Sequence, residues 1–264
     1  VRLVGDTSAG DDSLARIVRL EDRSTVLRRT ADDSDPVERV IVANADQLGV
    51  VTALADPPPR FGFIDRALVA AYDAGLQPLL ILTKADLASA QPVIDAYAAL
   101  DVPAVSIARG EGKQPVAADL ANVVDHLSDH VTVLVGHSGV GKSTLVNALV
   151  PGADRSTGHV NEVTGRGRHT STSASALPLP SGGWIVDTPG VRSFGLAHVS
   201  ADAVIAAFDD LAGGLEECPR GCSHDEPDCA LDAFVGDDQH LQARLASLRR
   251  LLASGSTMDD VPAD

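Results

Sequence analysis

The sequence predicts an α/β protein whose centre is a parallel sheet with helices on both faces. Three observations predict it. Near-continuous apolar stretches alternate with helical patterns from Val37 onward. One of those stretches runs straight into a glycine-rich loop that opens a helix. The flanks differ in texture, Arg-rich and β-like before the alternation, acidic and helical after it.

The strand candidates are Val40–Ala43, Val50–Ala53, Leu79–Leu82, Ala104–Ile107, Val131–Val135 and Trp184–Val186, with helices expected at about 64–74, 87–99, 116–127 and 142–149. The stretch 1–37 offers short β-type runs at Ala15–Leu20 and Thr25–Arg28. Asp32–Pro36 reads as a loop, Gly152–Ser173 as a long mobile loop, and Arg109–Gln114 as a surface loop. Three domains are expected, at 1–37, 38–200 and 201–264.

Composition excludes little but directs attention. With 264 residues, 44% hydrophobic and 22% charged, the chain is an ordinary globular one rather than a disordered one. The net charge of −16 argues at first against a nucleic-acid partner. The charge is segregated, however. Residues 201–264 hold 14 acids against four arginines, whereas Ser13–Thr30 holds five arginines (16, 19, 23, 28, 29) against Glu21 and Asp22. There is no apolar run long enough for a membrane helix and no signal peptide, so a cytoplasmic protein is expected. The chain starts without Met, which suggests a fragment or processed product. Lysines are scarce, only Lys84, Lys113 and Lys142, so each surviving one invites an explanation.

Val131–Val135 leads into Gly136-His137-Ser138-Gly139-Val140-Gly141-Lys142-Ser143-Thr144, which fits G-x-x-x-x-G-K-[ST] in the strand–loop–helix setting that motif requires. Glycines let backbone N–H groups turn inward around phosphate oxygens, and the following helix points its positive end at them. Lys142 is expected on the β- and γ-phosphates, and the Ser143 hydroxyl on Mg²⁺.

At the end of Leu79–Leu82 stands Thr83-Lys84-Ala85-Asp86. A carboxylate there accepts from guanine N1–H and N2–H₂, a donor pair that adenine lacks. The Lys84 stem would pack over the purine. Lys113 lies in a polar loop and reads as simply solvated. A third apolar strand ends in Asp187-Thr-Pro-Gly190, placing Asp187 near Mg²⁺ and the Gly190 N–H near the γ-phosphate, the arrangement of a hydrolysis-sensitive switch. After Gly190, Val191 stands where a water-positioning Gln is common. Help is therefore sought in Arg168–Thr172: a hydroxyl of Thr170 or Ser171 to complete the Mg²⁺ shell, and His169 to orient the water, the competing reading being that His169 is solvated or touches RNA.

The tetrad at 83–86 precedes the phosphate loop instead of closing the motif series. Each motif lies at the carboxyl end of a strand, so a circularly permuted sheet would still assemble one pocket. Downstream, Cys218, Cys222, His224 and Cys229 form a Cys₃His set suited to tetrahedral structural Zn²⁺. Backbone N–H groups or Arg220 are expected to temper the thiolate charge.

This combination resembles the ribosome small subunit-dependent GTPase A (RsgA) family over essentially the whole chain, through the permuted order, Gly136–Thr144, Arg168–Thr172, Asp187–Gly190 and Cys218–Cys229. The resemblance implies an N-terminal OB-fold, a permuted GTPase domain and a C-terminal zinc-binding helical domain. It implies GTP as substrate, with Mg²⁺ and one Zn²⁺. The implied role is late maturation of the small (30S) ribosomal subunit, in contact with its rRNA, with hydrolysis stimulated by that subunit; a monomer is expected. Three departures stand out. Residues 1–37 can hold only part of an OB-fold. The spacing C-x₃-C-x-H-x₄-C is one residue tighter in each outer gap than the common family pattern. Thr83 replaces the usual Asn. The alternative function is a zinc-stabilised RNA-binding module whose affinity nucleotide tunes without appreciable turnover. A P-loop kinase or ATPase is disfavoured by Asp86.

Overall fold

The computed structural model describes residues 2–6, 15–30, 37–153, 174–188, 195–196, 199 and 201–256. Its centre is a six-stranded sheet built from β5 (Gln47–Ala53), β6 (Gln77–Thr83), β7 (Ala104–Ile107), β8 (Val131–Val135), β9 (Ser175–Pro178) and β10 (Trp184–Asp187), in the order β7-β6-β5-β8-β10-β9. All neighbours are parallel except the edge strand β9, antiparallel to β10.

Alternate residues of the central strands feed two cores. Val50, Leu80, Leu82, Val133 and Val186 face one side, with Ile64 and Leu68 of α1 (Phe61–Asp73). Val51, Leu79, Ile81, Leu134 and Ile185 face the other, with Val123 and Leu127 of α3 (Ala117–Leu127) and Leu145, Val146 and Leu149 of α4 (Lys142–Leu149). Burial on both faces is why these strands read as unbroken apolar runs. Between β6 and β7, α2 (Gln91–Tyr97) starts with proline in its first turn, a position where the missing N–H costs nothing.

The N-terminal segment forms two separate antiparallel pairs. β1 (Arg2–Gly5) pairs with β2 (Ala15–Arg19), both exposed along their length, and β3 (Val26–Arg29) pairs with β4 (Arg39–Ala43). Val40–Ala43, read from sequence as a member of the parallel sheet, is thus β4 in an antiparallel ladder. This ladder spans the expected boundary at 37/38. The physical reason is burial: β4 is exposed or half-buried throughout, whereas every residue of β5 is buried, so only β5 fits between two helical layers. The edge strand β9 had no counterpart in the sequence reading, because four residues ending in Pro give too short a period-2 signal.

After residue 200 come short helices α5 (Ala201–Ile205), α6 (Ala212–Leu215) and α7 (Ala230–Val235), then the long α8 (Gln239–Ser256). α8 folds back onto α1 through a polar seam. Arg250 Nε donates to the buried Asp65 carboxylate at 3.2 Å, Arg66 donates to the Ser254 carbonyl at 2.6 Å, and Arg244 donates to the Ala99 carbonyl at 2.9 Å. Burial raises the Asp65 carboxyl above its usual range, with Arg250 opposing the shift. No described helix is long and apolar enough to cross a membrane.

Candidate functional site: a phosphate loop, a base tetrad and a cysteine cluster

Parallel pairing brings the predicted motifs to one edge of the sheet. Ala53 stands beside Thr83, Thr83 beside Ile107, Val50 beside Val135, and Leu134 beside Asp187. The carboxyl ends of β5, β6, β7, β8 and β10 therefore share one crevice, where ligands of open parallel sheets bind.

The loop from Gly136 to Gly141 has the conformation that its glycines permit. Gly139 and Gly141 adopt φ of 81° and 91°, and a Cβ on Gly136 would lie 2.5 Å from the Val51 carbonyl oxygen. No side chain fits at Gly136, so the backbone stays open on the phosphate side. Gly141 caps α4, which aims its N-terminus at the loop. Behind it, the His137 ring packs on Phe63 of α1, centroids 4.2 Å apart.

Lys142 donates to the Asp187 carboxylate and, at 3.2 Å, to the Thr188 carbonyl. Asp187 and Thr188 are both buried, and the Thr188 hydroxyl donates to the Leu134 carbonyl at 2.7 Å. The end of β10 is thus pinned to the strand that carries the phosphate loop. This cradle suits polyphosphate, with Lys142, Ser143 and Asp187 around the position where a Mg²⁺-bound phosphate would sit. His169, Thr170, Ser171, Gly190 and Val191 lie outside the described residues.

The base tetrad is linked to the same loop. The Thr83 hydroxyl lies 2.5 Å from the Val140 carbonyl and 3.3 Å from that of Thr52, so its proton is given to the nearer acceptor. A shorter side chain than Asn still ties the tetrad to the phosphate loop. Lys84 has a left-handed backbone (φ 58°) and donates to the Asp56 carbonyl; desolvation lowers its ammonium below the usual range, Asp56 opposing.

Sequence reasoning missed one residue here. Arg109, assigned to a surface loop, follows β7 and engages Asp86. Its backbone N–H and Nε donate to Oδ1 at 2.9 and 3.2 Å, and Nη2 donates to Oδ2 at 2.9 Å. The side-chain bonds from Arg109, with its backbone N–H next, hold the pKa of the Asp86 carboxyl at about 2. The signal available was position alone: Arg109 stands just past the carboxyl end of another parallel strand.

Cys218, Cys222, His224 and Cys229 are brought together, all four ligand atoms within 4.8 Å of one another. Cys218 Sγ is 3.9 Å from Cys229 Sγ and 3.6 Å from His224 Nδ1, and Cys229 Sγ is 4.0 Å from that nitrogen. A tetrahedral zinc with usual bond lengths needs edges of about 3.6–3.8 Å, so the Cys218, His224 and Cys229 atoms are already near that spacing and the widest pair of the set would close by about 1 Å. The tighter outer gaps are absorbed locally, with Gly221 and His224 both at positive φ (79° and 67°). Of the two groups expected to temper the thiolate charge, Arg220 is exposed. A backbone group does meet the cluster as expected, the His224 N–H donating to Cys222 Sγ at 3.3 Å, and Arg249 of α8 donates to the His224 carbonyl at 2.6 Å. A cation from a distant helix is invisible to spacing within the cluster.

Comparison with known proteins agrees with this geometry. The RsgA GTPase family pattern matches residues 20–197. A protein of Pseudomonas aeruginosa (strain LESB58) named small ribosomal subunit biogenesis GTPase RsgA is 41% identical over 254 residues, covering 93% of this chain and 73% of that one. A protein of the same name from Ectopseudomonas mendocina is 42% identical over 222 residues, 81% and 63% of the two chains. Among solved structures, YjeQ from Thermotoga maritima superposes with a TM-score of 0.64 at 22% identity, over 92% of this chain and 79% of that one. YloQ, a circularly permuted GTPase, superposes with 0.63 at 23% identity, over 99% and 81%. The sheet order, the permuted motifs and these matches together establish that the chain belongs to the RsgA GTPase family.

Proposed function

We propose that this protein hydrolyses GTP as a late maturation factor of the small (30S) ribosomal subunit, with turnover stimulated by that subunit and its rRNA. The observation that carries the reading is the convergence of the glycine loop, the Thr83–Asp86 tetrad and Asp187 at one sheet edge. The names of the relatives support the ribosomal partner. Such a partner is consistent with a cytoplasmic location, and we take the protein to act as a monomer.

In this reading the backbone N–H groups from His137 to Lys142, together with Ser143 and Thr144, hold the phosphates. Lys142 exchanges its present carboxylate partner for phosphate oxygens, which concentrates positive charge where negative charge develops on γ-phosphoryl transfer. Thr83, Lys84 and Ala85 shape the base site, and Asp86 reads the guanine edge. Ser143 and Thr170 would hold Mg²⁺, with Asp187 assisting, and the ion would supply charge neutralisation for phosphoryl transfer. Gly190 would sense the γ-phosphate through its N–H, and His169 would orient the attacking water. Cys218, Cys222, His224 and Cys229 would hold one structural Zn²⁺, closing the shell without a free position for catalysis.

The domain plan we propose is a partial OB-fold at 1–37, whose β3 pairs with β4 across the boundary, the GTPase domain at 38–200 and a zinc-binding helical domain at 201–264. The test is GTP turnover with and without purified small subunits. Clear stimulation by the subunit is expected; turnover that the subunit leaves unchanged refutes the ribosomal coupling.

A further inference from the structure

Arg109 makes the only fork-like contact among the described residues of the base tetrad, and its chemistry matches the ligand that the tetrad is read to bind. The guanine edge that faces a carboxylate is N1–H and an N2–H on one carbon. Arg109 presents Nε–H and Nη2–H on one carbon to the same two oxygens, at 3.2 and 2.9 Å. Both are guanidine fragments with parallel donors, the arrangement that pairs best with a carboxylate. Asp86 and Arg109 each keep about a quarter of their side chain exposed, so the pair is accessible to an incoming base and is not locked in the core.

We propose that Arg109 is an affinity-setting residue of the nucleotide site: its guanidinium competes with guanine for the same two oxygens of Asp86, and guanine must displace it to bind. This rests on the reading of Asp86 as the guanine acceptor. The backbone N–H of Arg109, 2.9 Å from Oδ1, remains on the carboxylate when the side chain leaves and keeps it aimed into the crevice. Displacement trades a charged partner for neutral donors, so the nucleotide-free state is favoured and nucleotide affinity is reduced by the fraction of protein in which Asp86 is free. The consequence for the enzyme is weak product retention: once GDP leaves, Arg109 re-engages Asp86 and competes with rebinding.

The test is a double-mutant cycle on the full chain, read by GDP titration. Arg109→Ala is expected to tighten GDP binding roughly three- to tenfold, and Arg109→Lys, a point charge without the fork, to fall between. Under steady-state turnover the Arg109→Ala variant should show a lower KM for GTP and stronger inhibition by GDP, directions that a structural defect would not produce. In an Asp86→Ala background the Arg109→Ala gain should vanish. Unchanged or weaker GDP binding in Arg109→Ala overturns the proposal, as does a gain that persists without Asp86. If Asp86→Ala binds GDP and ADP with the same preference as the parent, it is the guanine reading itself that fails, independently of what Arg109→Ala does.

Discussion

Lys142 sets its ammonium against the carboxylate of Asp187, joining the first turn of α4 to the last residue of β10. Both side chains are largely buried, at 12% and 5% exposure, so each charge depends on the other. The motif that opens α4 and the one that ends β10 are therefore joined by an ion pair.

Replacing Lys142 by Ala should abolish measurable GTP binding or hydrolysis, because Lys142 is the cation that opens α4 and sets its ammonium against Asp187. It should also lower stability by about 1–3 kcal/mol, since the Asp187 carboxylate loses a partner in a buried place. Adding Asp187→Asn should recover part of that stability without recovering turnover. Denaturant midpoints and a phosphate-release assay on the three proteins check both parts; wild-type turnover in Lys142→Ala would refute the site.

A second expectation concerns the contact between α8 and the short helical segment around Phe208–Asp210. Arg244 is almost wholly buried, donates to both oxygens of Asp210 at 2.8 and 2.9 Å, and lies 4.5 Å above the Phe208 ring. Arg244→Ala should cost about 2–4 kcal/mol, and Arg244→Lys most of that, because the fork and the stacking both disappear. Hydrogen bonds from Arg244 lower the Asp210 carboxyl in the folded state. A carboxyl held low when folded adds stability above its unfolded value of about 3.9, and that share is lost as pH falls through the folded value. The stability gap between wild type and Arg244→Ala should accordingly be widest near neutrality and narrow below about pH 4. A gap that widens on acidification would remove Asp210 from the account.

The cysteine cluster gives a third expectation. Protein purified without chelator should carry close to one zinc per chain, and Cys229→Ser should lose most of it. Because Arg249 bonds to the His224 carbonyl and pairs with Asp232 at 2.7 Å, loosening the cluster should also loosen α8. Limited proteolysis should then cut between residues 212 and 256 before the sheet domain. Full zinc content in Cys229→Ser would mean that the metal sits elsewhere.

These expectations lean on parts of the molecule that the sequence showed unequally. The central strands were legible because burial on both faces leaves an unbroken apolar run, and the α4 bounds matched because Gly141-Lys142 marks a loop-to-helix junction. The four zinc-type ligands were legible because they are close in sequence. What stayed hidden depends on partners far along the chain. Arg109 meets Asp86 across 23 positions, Arg249 meets His224 across 25, and Arg250 meets Asp65 across 185. Periodicity and spacing carry no information at those separations. β4 is hard to place from sequence for a related reason: Val40–Ala43 is apolar enough for either sheet, and only pairing with β3 decides it.

The segregated charge supplies the last expectation. The arginines of 16–29 are exposed or half-buried, yet they are not bare. Arg19 pairs with Glu21 at 3.1 Å, and Arg28 pairs with Glu38 at 3.2 Å. Both acids are well exposed, so these pairs are weak and can yield to phosphate. Binding to small subunits should therefore weaken steeply with salt despite the total of −16. Neutralising Arg23, Arg28 and Arg29 together should flatten the salt dependence by about one unit of slope for each phosphate no longer neutralised. Neutralising Glu38 alone should strengthen binding slightly, because it frees Arg28. Co-sedimentation across a salt series measures both. If the triple variant keeps the parent's slope, the acidic total was the better guide and the N-terminal ladders do not face RNA.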